Sequence, residues 1–377
     1  MQNSINRRDW LKRNSLAAFA LGFGIPSIAN EEGILRSFGA ADGLINLSAN
    51  ENPYGISPKA KDAILNMISE ANRYQFNVTS LQNFKKELAQ YFKVGNDQVL
   101  VTAGSGDALQ FLARHFNKGN LVTATPTFAI LPSTAKKIGT KVIEVPLTKE
   151  KVHDLPAMLK AINSDTQIVY ICNPANPTST IVSPNDLKKF CIEASKKAVV
   201  IIDEAYIDFL DAPDNESMIE LVAQHPNVLV VRTFSKIHGM AGLRVGFLIG
   251  HPSLISALDK NYFSNSQITV SNLSLAAALA SLKDEAHRAS CKQKNETARS
   301  FTIRSLQEMK INCIPSYTNF IFFPLSKYQG NFSEDMFAKN IFLRSNNYDG
   351  EKWARVSVGT LPEMKQFIDL MKVVWKG

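Results

Sequence analysis

Cysteine is scarce in this chain: Cys172, Cys191, Cys291 and Cys313 are the only four among 377 residues. No two of them stand in C-x-x-C or zinc-ligand spacing. Neither a disulfide framework nor a metal site is expected, and the thiols read as free and buried. Beyond the N-terminus no apolar run approaches the roughly 20 residues that cross a bilayer, which argues against a stable membrane span. Internal repeats and low-complexity tracts are also missing. The net charge is +8, but the four cations Arg7, Arg8, Lys12 and Arg13 against Asp9 supply +3 of it. The rest is spread without a block, and no basic cluster is interleaved with aromatics, so no nucleic-acid partner is implied. What remains is a composition of 45% apolar and 20% charged residues, ordinary for a soluble globular protein. Its length suits two packed units better than one core.

The first 29 residues form a separate block. Asn6-Arg-Arg-Asp-Trp-Leu-Lys12 is basic, an apolar run follows from Leu16 to about Ile25, and Pro26-Ser-Ile-Ala29 has a small-x-small end. That is the layout of a secretory signal, with an apolar part too short for a normal span. The paired arginines before Trp10, Leu11 and Lys12 resemble a twin-arginine signal, with Asn6 where Ser or Thr is commoner. The resemblance implies export of a folded protein through the twin-arginine machinery, cleavage after Ala29 and a periplasmic or external location. An amphipathic N-terminal helix on a cytoplasmic protein is the alternative.

From about residue 97 short apolar runs alternate with helix-like stretches. The runs lie at 99–103, 121–124, 141–145, 167–172, 198–202, 227–231 and 245–249. They are dense and β-branched rather than alternating, as in strands covered on both faces. Amphipathic segments such as 183–195 separate several of them. This rhythm predicts an α/β unit with a mostly parallel sheet. Residues 276–310 read as helical, and the rest predicts a smaller α+β unit with strands at 319–323 and 355–358 and a last helix from Pro362. The expected division is a signal at 1–29, the N-terminal part of the small unit at 30–75, the large unit at 76–275 and the remainder of the small unit at 276–377.

Four stretches carry chemistry. Arg232-Thr-Phe-Ser-Lys236-Ile-His-Gly-Met-Ala-Gly-Leu-Arg244 follows a strand and places a lysine on a loop at a carboxyl end of the sheet, the edge that ligands favour. Ser235 and Arg244 suit a phosphate dianion. Asp203 ends an apolar strand, where a carboxylate is poorly solvated and needs a job or a partner. Tyr206 stands three residues on, and Glu204 reads as structural or solvent-facing. Asn173-Pro-Ala-Asn176-Pro-Thr178 has two Asn-Pro steps that favour extended backbone beyond a strand. Thr102-Ala-Gly104-Ser105-Gly106-Asp107 joins a strand to a helix, where backbone N–H groups can meet an anion. Phe128 follows the next strand and can stack on a flat ring. Together these are the parts that pyridoxal phosphate asks of a protein: Lys236 to bond its aldehyde, Asp203 beside the pyridine nitrogen, Asn176 and Tyr206 at the ring hydroxyl, and a phosphate clamp.

The motifs resemble the fold-type I pyridoxal-phosphate aminotransferases, and most closely their histidinol-phosphate aminotransferase branch, over about residues 44–375. The resemblance rests on Ser48-Ala-Asn-Glu-Asn-Pro-Tyr-Gly55, Arg73-Tyr74, Asn173–Thr178, Asp203-Glu-Ala-Tyr206, Ser235-Lys236 with Gly242-Leu-Arg244, Thr318-Asn-Phe320 and Arg355–Thr360. It implies an aspartate-aminotransferase-like large domain plus a smaller α+β domain. It further implies a homodimer with shared active sites, Tyr74 reaching the phosphate of the neighbouring subunit's cofactor, and Arg355 holding the substrate's carboxylate or phosphate. Asn50, Glu51 and Arg344 would lie near the substrate, an amino donor first and then a 2-oxo acid acceptor. The chain departs from the family at Ser179, where glycine is usual, and at His238 and Met240, where small apolar residues are usual. An export signal also sits poorly with histidine biosynthesis. A decarboxylase or lyase of threonine-phosphate decarboxylase type is the other chemistry of the branch. A binding protein on a dead scaffold is opposed by the intact lysine, aspartate and phosphate clamp.

Overall fold

The computed structural model describes residues 43–73, 79–265, 270–348 and 350–375. The signal expected at 1–29 and Tyr74 lie outside them. The strands in chain order are β1 (Ile45–Asn46), β2 (Val99–Thr102), β3 (Asn120–Thr125), β4 (Lys141–Pro146), β5 (Thr166–Cys172), β6 (Val199–Asp203), β7 (Val228–Thr233), β8 (Gly246–Gly250), β9 (Phe320–Pro324), β10 (Ile341–Phe342), β11 (Arg344–Tyr348) and β12 (Glu351–Ser357).

Seven of them form one sheet in the order β2-β8-β7-β6-β5-β3-β4. All run parallel except β8, which is antiparallel to both neighbours. The dense β-branched runs sit where both faces are covered: β7 is buried from end to end, as a parallel strand between helical layers must be. The larger helices are α1 (Pro58–Met67), α2 (Thr79–Phe92), α3 (Ser105–His115), α4 (Ile130–Lys137), α5 (Leu155–Ala161), α6 (Pro184–Ala194), α7 (Pro252–Asn265), α8 (Asn272–Leu282), α9 (Glu285–Glu308) and α10 (Leu361–Val374). The amphipathic segment at 183–195 is α6, started by Pro184 at its first position and by Ser183 Oγ accepting from Asp186 N–H at 3.2 Å.

The helical stretch at 276–310 is not one helix. It breaks at Lys283 and Asp284, where Arg288 Nη1 donates to the carbonyls of Ser281 (2.7 Å) and Leu282 (2.6 Å) and so satisfies the last turn of α8. Helix α8 packs on α1 and buries Leu275, Ala277, Ala278 and Leu282 in the core beneath the large sheet. The division expected at 275/276 therefore falls inside it.

A second core gathers Ala298 and Leu306 of α9, Met364, Phe367, Ile368 and Met371 of α10, and one face of the antiparallel sheet β11-β12-β9. Leu47 joins it, and β1 pairs in parallel with β10. Residues 45–47 thus pack with the C-terminal unit, whereas α1 buries Ala60 in the large core. The stretch at 30–75 does not go to one side as a block.

Glu204 is structural. It is 1% exposed and accepts from Arg232 Nε (2.8 Å), Ser217 Oγ (2.8 Å) and Met218 N–H (2.8 Å). Arg232 is also buried, donates to Ser217 Oγ at 3.0 Å, and lies over the Phe92 ring. Removing one partner leaves an uncompensated buried charge. Arg232→Met is expected to lower stability by about 3–5 kcal/mol in urea titration. The double variant Arg232→Met/Glu204→Leu should recover part of that loss; a double variant less stable than the single one would show that the pairing is not the cause.

Candidate active site

Because β5, β6 and β7 are adjacent and parallel, their carboxyl ends open on one edge. Cys172 and Asp203 are in register there, the Asn-Pro segment leaves β5, and Ser235-Lys236 leaves β7. Asp203 is 1% exposed. Its carboxylate accepts from Tyr170 Oη at 3.1 Å and from Ala205 N–H at 3.2 Å. Burial pushes its pKa up to about 6, against those two hydrogen bonds and the Lys236 cation.

Tyr206 Oη accepts from Asn50 Nδ2 (3.0 Å) and Asn176 Nδ2 (3.2 Å). Burial raises its pKa, so it stays a phenol with its proton free to donate. Its ring meets Phe320 edge-on at 5.2 Å. Lys236 Nζ lies 5.5 Å from the centre of the Tyr206 ring and donates to the carbonyls of Asn50 (3.1 Å) and Ala49 (3.3 Å). Burial lowers the Lys236 pKa to about 8; Arg355 lowers it too, while Glu51 and Asp203 oppose the shift.

Arg355 projects from β12 across this group. Nη1 donates to Asn176 Oδ1 at 2.9 Å and Nη2 to the Ser48 carbonyl at 2.6 Å, while Nε is buried with no partner among the described residues. Arg344 stands opposite Arg355 in the β11–β12 pair, on the same face. Asn50 is buried at φ +54, fixed by Ser357 Oγ, which meets both its N–H (2.8 Å) and its Oδ1 (3.1 Å). Asn319 Nδ2 donates to the carbonyls of Asn50 (3.0 Å) and Glu51 (3.1 Å). The Glu51 side chain is exposed.

The fourth stretch makes an anion cradle. Gly104, at φ +87, begins α3, and the first helical bond goes from Ala108 N–H to Gly104 O. The N–H groups of Ser105, Gly106 and Asp107 precede it in the first turn, so they point out of the helix end. Arg244 reaches over them: a Cβ on Gly104 would come within 2.4 Å of its guanidinium, and one on Gly246 within 2.5 Å of Ser105 N. Arg244 Nη1 is 3.5 Å from Ser235 Oγ and 2.9 Å from the Ala241 carbonyl. The Asp107 carboxylate turns away and accepts from Tyr262 Oη. Phe128 is half-buried on the core that holds Leu121.

The family model for aminotransferase class I and II matches residues 42–370. The chain belongs to the class I and II aminotransferases. A histidinol-phosphate aminotransferase of Brevibacillus brevis is 34% identical over 347 residues, covering 91% of this chain and 93% of the relative. A solved structure from Erwinia carotovora atroseptica, provisionally described as a histidinol-phosphate aminotransferase, superposes with a TM-score of 0.82 at 30% identity, over 88% of this chain and 95% of that one. The Sinorhizobium meliloti histidinol-phosphate aminotransferase, solved with pyridoxal 5'-phosphate, shares the fold at a TM-score of 0.79 and 23% identity, over 93% and 95% of the two chains. A threonine-O-3-phosphate decarboxylase of Porphyromonas gingivalis shares the fold alone, at 18% identity and a TM-score of 0.75, over 88% and 99%.

This aminotransferase is therefore a pyridoxal-phosphate enzyme, and its residues fit that cofactor. The cradle that a Cβ would fill, a buried lysine with a lowered pKa, a strand-end carboxylate and a phenol with a free proton lie along one edge. The family departures are structural. Ser179 sits at φ +62 and is fully buried, the conformation for which glycine is usual. Its hydroxyl bonds the carbonyls of Thr178 (2.5 Å) and Pro315 (3.3 Å). His238 packs on Phe234 and bonds Ser281 Oγ at 2.8 Å; burial first, then nearby cations, keep it neutral. Met240 is buried in the same core. Tyr170 escaped the sequence reading as a site residue, and Ser48, Ser357 and Asn319 stood in its motifs without a role. Tyr170 reads as one more core aromatic, and the others act only through long-range contacts.

The neutral amine of Lys236 is what bonds an aldehyde. The rate of pyridoxal-phosphate loading into apoenzyme, followed by absorbance, is expected to rise with pH through an inflection near 8. The sign follows from a lowered base pKa: the penalty for the buried cation is present below about 8 and is gone above the unfolded value near 10.5. Arg355→Met removes a like charge and should move the inflection to higher pH. A downward movement would contradict the assigned electrostatics.

Proposed function

We propose that this enzyme moves the amino group of an anionic amine to a 2-oxo acid in two half-reactions, with an amino phosphate such as histidinol phosphate as the first candidate donor. The observation that carries the reading is Arg355, half-buried, aimed across the site and kept from turning by Asn176 and the Ser48 carbonyl. A guanidinium held this way binds a carboxylate or phosphate, and Arg344 beside it adds a second cation for a dianion. The name of the Brevibacillus relative supports the donor.

Pyridoxal phosphate, when bound, supplies an electron sink for the carbanion left when the donor's Cα loses its proton. The chain supplies the rest. Ser235 Oγ, Arg244 and the N–H groups of Ser105, Gly106 and Asp107 bind the phosphate. Asp203, oriented by Tyr170 and Ala205, holds a proton at the pyridine nitrogen. Asn176 and Tyr206 would hold the ring hydroxyl, and Phe128 would stack on the ring. Lys236 would hold the cofactor through its amine and would serve as the base that takes the donor's Cα proton; a pKa near 8 leaves part of it neutral at physiological pH. Asn50, Glu51 and Arg344 line the substrate side.

Arg355→Met is expected to raise KM for anionic donors about 100-fold, from the loss of a charge-assisted pair of roughly 2–3 kcal/mol. An unchanged KM would remove Arg355 from that role. The visible band of wild type with pyridoxal phosphate should be bleached by the true donor, with release of an oxo acid. Lys236→Ala should bind that donor without turnover. Release of CO2 in place of an oxo acid would move the chemistry to the decarboxylases.

Two further parts of the reading come from the sequence. Tyr74 reaches the neighbouring subunit's phosphate in a homodimer with shared sites. The segment 1–29 directs export by the twin-arginine route, which carries folded proteins and so allows the cofactor to be loaded first. Light scattering of the uncleaved protein should give twice the 41.7 kDa chain mass, and inactive Tyr74→Phe and Lys236→Ala chains should regain activity when mixed. N-terminal sequencing of exported protein should begin at Asn30 or Glu31. A monomer, or an intact Met1 in a cytoplasmic fraction, would overturn the respective part.

A further inference from the structure

The cradle at the start of α3 carries a carboxylate of its own. Asp107 is the third residue of that helix and lies in its first turn. A carboxylate at this position ordinarily folds back on the free N–H groups of the helix start, as in a capping box, and gains from the positive end of the helix. Here those N–H groups are the ones placed at the cofactor phosphate, and the Arg244 guanidinium over Gly104 is a second attraction. A carboxylate turned into the cradle would occupy its donors and set like charge against a phosphate dianion.

One side chain opposes this. The Asp107 carboxylate accepts from Tyr262 Oη. Tyr262 belongs to α7, the helix after β8, and is buried in the core that holds Leu109 and Leu112 of α3. The Phe111 ring meets it edge-on at 5.1 Å. Its oxygen also accepts from the N–H of Ala103, the residue before Gly104, at 3.3 Å. A phenol has a single proton to donate. With the oxygen tied to the main chain and the ring held by the core, that proton is committed to Asp107. Phenylalanine would fill the same core without a hydroxyl to satisfy, so the oxygen has a use beyond packing.

We infer that Tyr262 is a positioning residue for cofactor binding: it draws the Asp107 carboxylate off the start of α3 and so keeps the cradle open to a phosphate. The inference rests on the reading of this cradle as the phosphate site. It separates pyridoxal phosphate from pyridoxal, which has the same ring and aldehyde but no phosphate. Repulsion by Asp107 weakens the first and spares the second, whereas general loosening of the fold weakens both.

Both molecules are titrated into apoenzyme and followed by the visible band. Tyr262→Phe is expected to weaken pyridoxal phosphate at least about tenfold, the scale of a hydrogen bond to a charged group, and to leave pyridoxal unchanged. Tyr262→Phe/Asp107→Asn should restore the affinity for pyridoxal phosphate, since the repelling charge is gone. Asp107→Glu keeps Tyr262 but carries the carboxylate past its hydroxyl; it should weaken the phosphate form selectively and serves if Tyr262→Phe does not fold. Equal weakening of both molecules, no change in either, or no recovery in the double variant would overturn the role of Tyr262. Arg244→Met tests the cradle itself. If it weakens pyridoxal phosphate alone while Tyr262→Phe does not, the cradle stands and only Tyr262 loses its role. If it leaves pyridoxal phosphate unaffected, the phosphate binds elsewhere and the inference falls with the cradle.

Discussion

The hydroxyl of Tyr206 accepts one hydrogen bond from Asn50 and one from Asn176. The rest of the site is arranged around that oxygen. Asn176 belongs to the loop after β5, Tyr206 to the turn after β6, and Asn50 to the segment that enters from β1. Two amide donors on one phenolic oxygen leave its proton to point elsewhere, and they fix three chain segments at hydrogen-bond precision. Arg355 is built onto the same node through Asn176 Oδ1, and Ser357 fixes Asn50 from the same strand. Buried networks of this kind rigidify a site, and two atoms of this one, Arg355 Nε and Asn319 Oδ1, have no partner among the described residues.

Cations outnumber carboxylates at this edge: Lys236, Arg244, Arg344 and Arg355 stand with Asp203 and Glu51, a surplus that suits anionic ligands. The Asp203 carboxylate and the Lys236 ammonium are both poorly solvated, and each is displaced toward its neutral form. Arg355 presses Lys236 further in that direction, while Asp203 and Glu51 resist. The lysine is thereby kept near the point where it can alternate between base and acid at neutral pH. The Glu204–Arg232 pair, one residue from Asp203, touches this balance only through the Glu204 charge, which adds to burial in raising the Asp203 pKa. It is closed on itself by Ser217 and Met218 and anchors the turn on which Tyr206 is carried.

Much of this was legible in the residues. Dense β-branched runs marked the strands, and a lysine, an acid and an Asn-Pro step at strand ends marked the edge where a ligand sits, because parallel strands bring their carboxyl ends together. What failed to show was what distance along the chain conceals. The break at Lys283 and Asp284 depends on Arg288 reaching back to two carbonyls, which no local propensity announces. Asp107 looks like a cradle residue in sequence, yet its side chain belongs to Tyr262. Tyr170 looks like a core residue, yet its hydroxyl orients Asp203. In each case the deciding partner is a side chain whose position only the folded chain defines.

Ser179 stands at the join between the two units. Its carbonyl accepts from Tyr317 N–H at 2.9 Å, and its hydroxyl reaches the Pro315 carbonyl; both partners lie in the segment leading into β9. The loop bearing Asn176 is thus fastened to the C-terminal unit by main chain and side chain together. Any rotation of that unit about the large sheet must either break those bonds or carry the loop along, and with it the amide that meets Tyr206. Opening and closing of the enzyme would then be felt at the cofactor's hydroxyl as a change in alignment, before any substrate atom had arrived.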